Sequence, residues 1–239
     1  MNGLILGTVT ENYDAKHPGM VRVSFPSFDA EGRATEWLCV AAPYAGKDYG
    51  VYLLPEKGAQ VIVGFIGGDA HCAVVLGSLW NTKNTVPAET ADKDNLIRKF
   101  VTKGKHSITL KDGDDGKITV KSESGHVIEI DEKAKKIKIQ TNDGKQKLEL
   151  DENGTSVKLE SGDKLDIKAE TITITGKITL KGQSVTLDAE NALTLKGKQV
   201  KLDGSTAKLN AQSAELTGAN VKVESSGILT LKGSMTKIN

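Results

Sequence analysis

The chain has 239 residues with 32 basic and 31 acidic side chains, a net charge of +1, and 26% of its residues are charged. This length and balance exclude intrinsic disorder as the main state and allow one or two domains. No run of 18 apolar residues occurs, which excludes a spanning helix. The start MNGLILGTVTENYD lacks the basic flank and apolar stretch of a secretory signal, so synthesis and folding in the cytoplasm are expected.

Residues 1–82 read as the first domain. Apolar runs at LILGTVTENY, MVRVSFP, TEWLCVAA, GVYLLP, AQVIVGFI and AVVLGSLW are separated by Pro, Gly and Asp turns. Five or six short strands in about 80 residues, with no helical period, predict a small closed barrel of the OB-fold type. All ten aromatic residues lie at or before Phe100, and all five prolines and both cysteines at or before Pro87. Trp37, Tyr44, Tyr52 and Trp80 are therefore expected either in the barrel core or at a barrel–barrel contact. Residues 83–99 read as a polar linker.

Beyond Val101 there is no Phe, Trp, Tyr, Pro or Cys. Globular cores draw much of their bulk from aromatics, so an ordinary globular domain is not expected there. Apolar residues instead recur in pairs at i and i+2, with Thr, Lys, Asp and Glu between them: one dry face and one wet face of a strand. From Ile108/Leu110 to Ile137/Ile139 the pairs step by nine or ten residues across turns such as KDGDDGK and TNDGK. Such turns suit hairpins, so residues 100–165 are predicted to form a β-meander or prism.

From residue 166 the step shortens to six to eight residues, most often seven, with corners TGK, LKG, LDG and LTG. A single chain that coils on itself needs roughly 20 residues per three-sided turn and would repeat at that longer period. Every seven-residue unit here looks alike. The simplest account is three identical chains wound about one axis, an intertwined triple-stranded β-helix over residues 166–239. Its trimer core is predicted to be Ile172, Ile174, Ile178, Leu180, Val185, Leu187, Leu193, Leu195, Val200, Leu202, Leu209, Leu216, Val221, Val223, Leu229 and Leu231. A one-chain solenoid or a flat sheet is the alternative, but no helix is present in the sequence to cover such a sheet.

Candidate chemistry is sparse. Asp69, His71 and Cys72 share the loop FIGGDAHC, which reads as a tight turn because no second cluster supplies further ligands. Cys39 and Cys72 are expected as two buried free thiols. KDGDDGK (Lys111–Lys117) lacks the full calcium-ligand series and reads as a hairpin turn. Lysine-rich corners such as Lys196–Lys198 read as solvated outer face. No catalytic residue, metal site or cofactor is predicted. Residues 1–98 carry eight basic and eleven acidic groups, and residues 99–239 carry 24 and 20. Neither part has the basic excess or the interleaved aromatics of a nucleic-acid binder.

GMVRVSFP and the stretch EWLCVAAPYAGKDYGVYLLPEKGAQVIVGFIGGDAHCAVVLGSLWN (Glu36–Asn81) resemble the OB domain of central spike proteins of contractile injection systems. These include the phage baseplate assembly protein V family, the contractile-phage tail spike and the valine-glycine repeat proteins of type VI secretion. IRKFVTKGKHSITLKD resembles the family's start of the needle, and SGHVIEID its SGH motif. The resemblance implies a homotrimeric, non-enzymatic, membrane-piercing spike with an all-β fold of barrel, prism and needle. It implies a separate hub protein at the barrel end, since no hub module precedes the barrel. Residues 81–100 are too few for the lysozyme domain of one phage spike. His17, His71, His106 and His126 are not spaced for the His-x-His iron site that tips some others. The repeat closes on GILTLKGSMTKIN, so a small tip protein of the proline-alanine-alanine-arginine (PAAR) type is expected to dock on Met235, Ile238 and Asn239. Contact with the target cell envelope would be transient, and the trimer would sit in the baseplate of a virion or phage-tail-like particle. The alternative is a trimeric β-helical tailspike adhesin or polysaccharide depolymerase, disfavoured by a needle without aromatic platforms for sugars.

Overall fold

A computed structural model describes residues 3–27 and 31–237. The described residues are all-β, with no α-helix and a single 3-10 turn at Ile66–Gly68. Two units are present, Met1–Lys168 and Ala169–Asn239.

The first unit opens with β1 (Leu4–Glu11), β2 (Met20–Ser24) and β3 (Leu38–Val40). A two-residue hairpin, β4 (Ala45–Gly46) and β5 (Tyr49–Gly50), interrupts the path to β6 (Gln60–Phe65) and β7 (Ala73–Leu79). Strands β1-β2-β3-β7-β6 close into a barrel, with β3 and β7 parallel and the other pairs antiparallel. This is the expected OB-fold. Alternation fills it: Val9, Val21, Val23, Val61, Val63 and Val75 are essentially fully buried, and Leu38 joins them. A barrel this narrow is filled by β-branched side chains that pack with little rotamer freedom to lose.

The aromatics lie elsewhere. Trp80 is 70% exposed, and Tyr44 and Tyr52 are also exposed. Trp37 is half-buried, stacked on the His17 ring at 5.6 Å and 12°. Of the two placements open in the sequence, the core of a single barrel is thus excluded. The run GVYLLP is not a barrel strand either: Val51–Pro55 lie in no strand, although Leu54 packs on the core and Pro55 is buried. Pro55 has no N–H to give to a ladder.

The barrel is followed by β8 (Ile97–Val101), β9 (Ser107–Lys111), β10 (Lys117–Lys121), β11 (Val127–Asp131), β12 (Lys136–Gln140), β13 (Lys147–Asp151) and β14 (Ser156–Glu160). They form one antiparallel sheet in strict chain order, a meander. The register stacks apolar pairs on apolar pairs: Ile118 faces Ile130, Ile128 faces Ile139, Ile137 faces Leu150, and Leu148 faces Leu159. Turn chemistry fixes that register. Gly113 takes a φ of +95° in the β9–β10 turn, where Gly116 N–H donates to its carbonyl at 3.0 Å. Asp131 and Asp151 each accept the N–H three residues on, from Ala134 at 2.7 Å and from Gly154 at 2.9 Å, so the β11–β12 and β13–β14 turns share one device.

In the second unit no described residue lies in a strand, and every described side chain is exposed. Bends recur at 170, 176, 182–183, 190–191, 197–198, 204–205, 212, 219, 226–227 and 234, near the corners that the sequence period places.

Barrel packing leaves no room at Gly7. A Cβ there would lie 2.2 Å from Val23 Cγ1 and 3.1 Å from the Ser24 carbonyl oxygen. Gly7→Ala is expected to destabilise the barrel by about 1–3 kcal/mol through overpacking. Gly77→Ala, where nothing lies within 4 Å, should stay near wild type. Urea unfolding followed by tryptophan fluorescence is the check, because both tryptophans, Trp37 and Trp80, lie in or beside the barrel.

Candidate functional site

One face of the seven-stranded sheet carries Phe100, Ile108, Leu110, Ile118, Val120, Ile128, Ile137, Ile139 and Leu150, each between 39% (Leu150) and 48% (Ile128) exposed. Because the hairpin register aligns these pairs, the face is continuous from β8 to β14. Contiguous apolar patches beyond a few hundred Å² mark interaction surfaces in soluble proteins. Near its end the face is indented by a cavity of about 670 Å³, lined by Val120, Ile128, Ile139, Leu148, Leu159 and Leu165.

In the second unit, all sixteen residues expected in the needle core are exposed, from 53% at Leu229 to 84% at Leu202. A single chain does not bring them together. Met235 is 85% exposed, while Ile238 and Asn239 lie outside the described residues.

The opposite face of the sheet carries ion pairs. Lys117 Nζ lies 2.7 Å from Asp131 and 3.6 Å from Glu129. Lys136 reaches Asp151 at 3.1 Å and Glu149 at 3.3 Å, Lys147 reaches Glu149 at 2.8 Å, and Lys138 reaches Glu129 at 3.5 Å. Across the strands the charges alternate, Lys117, Asp131, Lys136, Asp151 in one row and Glu129, Lys138, Glu149 in the next. Opposite charges directly across strands stabilise a sheet, each by a fraction of a kcal/mol. Lys147 and then Lys136 hold the Glu149 carboxyl below the ordinary glutamate range. Lys117 does the same for Asp131, and the Gly154 N–H followed by Lys136 for Asp151. Asp131 and Asp151 in turn raise Lys117 and Lys136. The sequence shows these residues only as a wet face; the lattice exists once register sets which lysine meets which carboxylate.

Alternate turns are also tied together. His106 Nδ1 accepts the Glu123 N–H at 3.2 Å, and His126 Nδ1 accepts the Asn142 N–H at 3.2 Å. The His of the SGH stretch thus joins the β10–β11 turn to the β12–β13 turn, a role that spacing alone does not reveal.

The chemically suggestive loop is a turn. Ile66 N–H donates to the Cys72 carbonyl at 2.9 Å, and the His71 N–H donates to Asp69 Oδ1 at 2.9 Å. That bond lowers the Asp69 carboxyl below the ordinary range. Cys39 and Cys72 are free, as expected, but both are exposed, not buried. Cys39 occupies the outward position of β3, between core-facing Leu38 and Val40. In KDGDDGK, Asp112 pairs with Arg98 at 3.5 Å and Asp115 with Lys111, so these carboxylates serve the hairpin.

Acid should dissolve the ion-pair lattice first. Glu149, Asp131 and Asp151 bind protons less readily folded than at their ordinary values of 4.5 and 3.8. Their contribution is therefore complete above about pH 4.5 and disappears as pH falls through the lower folded values. Lys117 and Lys136 sit above the ordinary 10.5; their contribution persists below that pH and is lost only above it. Circular dichroism of the sheet should show a loss as pH falls below about 4.5 that shrinks in Glu149→Gln.

Comparison with known proteins places these features. A family model described as the type VI secretion system/phage-baseplate injector OB domain matches residues 5–80. The type VI secretion system spike protein VgrG5 of Pseudomonas aeruginosa is 36% identical over 90 residues, covering 36% of this chain and 11% of that protein. VgrG2a of the same organism is 32% identical over 113 residues, 45% of this chain and 13% of the relative. VgrG3 of Vibrio cholerae is 31% identical over 96 residues, 38% of this chain and 9% of the relative. The chain spans roughly a tenth of the length of these curated relatives.

Proposed function

We propose, from the premise that this chain belongs through its injector OB domain to the type VI secretion and phage-baseplate spike family, that it is the non-enzymatic central spike of a contractile injection machine. It works as a homotrimer. Residues 1–82 are the OB-fold domain that joins the hub, 83–99 a linker, 100–165 the prism that starts the needle, and 166–239 the intertwined triple-stranded β-helix. The trimer is assembled into the baseplate of a virion or phage-tail-like particle and is driven through a target envelope that it touches only in passing. It binds no nucleic acid and uses no cofactor.

One observation carries this reading: the sixteen apolar side chains of the second unit are all exposed, and no described residue there is in a strand. Burying one Val, Leu or Ile contributes about 1.5–3 kcal/mol, while ordering each residue costs about 1–2 kcal/mol of backbone entropy. A seven-residue step with two apolar side chains cannot stand alone on those terms. Stacked between two copies, it gains main-chain partners above and below and a shared apolar axis. The apolar face of the sheet poses the same need, and three such faces turned inward meet it.

Light scattering on the purified protein is expected to give three times the 25.5 kDa chain mass; a folded monomer would remove the trimer. Leu195→Asp places three carboxylates at one level of the axis. Unpaired buried charge costs several kcal/mol per ion, so this variant should fail to wind or to assemble.

The end of the needle docks a separate cone-shaped tip protein. Met235 is 85% exposed, and three copies of it with Ile238 would form a small apolar platform at that end, with Asn239 beside it. Truncation after Lys232, or Met235→Asp with Ile238→Asp, should abolish capture of a PAAR-type protein while the trimer remains. Wild-type capture by both variants would exclude the platform.

A further inference from the structure

A ring of three identical barrels cannot be built from one self-complementary patch. Each subunit must offer two different surfaces, one to the neighbour on each side. Among the described residues, two exposed apolar surfaces of the barrel region differ in kind.

The first is flat and lies on the barrel wall. Leu4 pairs across β1 and β6 with Gly64, and Leu6 with Ile62. The bare backbone at Gly64 lets Leu4 and Leu76 close over it: a Cβ there would lie 3.2 Å from Leu76 Cδ1 and 3.4 Å from Leu4 Cδ2. Ile66 continues the row and is 65% exposed. Its N–H donates to the Cys72 carbonyl at 2.9 Å, which sets the exposed Cys72 thiol at the rim.

The second is a projecting arm. All thirteen residues from Ala41 to Leu53 are exposed. The Ala41 N–H holds its root by donating to the Val75 carbonyl at 2.8 Å, and the Val51 N–H closes its base on Tyr44 at 2.9 Å. The β4–β5 hairpin forms its tip. Tyr44, Tyr49 and Tyr52 line it, with Tyr44 and Tyr49 in ring contact at 5.3 Å. Tyrosine is enriched in interface cores because a rigid ring covers much area at little entropic cost.

We propose that the arm of each copy lies across the Leu4–Leu6–Ile66–Leu76 wall of the next copy, so that the three barrels interlock head to tail. Two features point to a second copy as the occupant. Glu56, at the arm's return, is bonded to Lys103 Nζ at 3.3 Å in the β8–β9 turn, so the arm is continuous with the sheet whose apolar face the trimer covers. A charge pair is available as well: Lys47, beside Asp48, stands at the arm's tip and Asp69 at the wall's rim, beyond Ile66. The interlock rests on the trimer reading and adds to it which barrel surfaces meet.

The test uses the natural thiol in the full-length chain. In a Cys39→Ser background, Tyr44→Cys, Tyr49→Cys and Tyr52→Cys are made singly and treated with a short bismaleimide. At least one should migrate as a covalent trimer on a denaturing gel, and adding Cys72→Ser should abolish that band. For wild-type protein, hydrogen exchange at Tyr52 and Leu53 should be at least tenfold slower than in an unstructured peptide, a measurement that needs no variant. A trimer by light scattering with only monomer bands, or with an intrachain link alone, would overturn the interlock and leave the trimer standing. So would fast exchange of the arm. A monomer by light scattering would remove both.

Discussion

A strand needs partners for its edges and cover for its apolar face, and this chain meets that need by itself only in its first third. The barrel does so by closing on itself. Closure removes both edges, and the valines of five short strands fill the space within. The seven-stranded sheet meets only half of it. Its strands pair with one another from β8 to β14, but one face remains apolar and open. The last seventy residues meet none of it, having neither strand partners nor burial among the described residues. The same pattern of apolar pairs thus runs from self-sufficient to wholly dependent along one chain.

That gradient suits a part made to assemble. Hairpins of ten-residue period place every contact close in sequence, so the sheet can form early and locally. Where the period shortens to seven the hairpins end, and no described residue lies in a strand. The absence of aromatics beyond Phe100 belongs to the same geometry. Aromatic bulk is concentrated around the barrel and its arm, whereas the apolar residues beyond Phe100 are all Ile, Val, Leu, Ala and Met.

The wet face is also organised. Lysines and carboxylates alternate across β10 to β13 and lie against one another. Fully exposed pairs contribute little, but Glu149 is buried among its lysines, and a lattice of complementary pairs favours the register that also stacks the apolar residues behind it. Its four lysines and four carboxylates cancel, so the lattice itself carries no net charge. The histidine ties between alternate turns add main-chain anchorage along the side of the sheet.

Much of this was legible in the sequence. Alternation of period two, the hairpin turns, the change of step near residue 166 and the barrel motif in Glu36–Asn81 are local signals, because side-chain direction along a strand is set by the backbone itself. The sequence also located the apolar residues of the second unit, which the structure leaves exposed. Tertiary structure decided what depends on pairing across distance. The placement of Trp37 against His17, the release of Ala41–Leu53 as an arm, the exposure of Cys39 and the meeting of Glu149 with Lys136 and Lys147 all follow from which strand lies beside which. Periodicity says which face a residue takes, and only the assembled register says what it finds there.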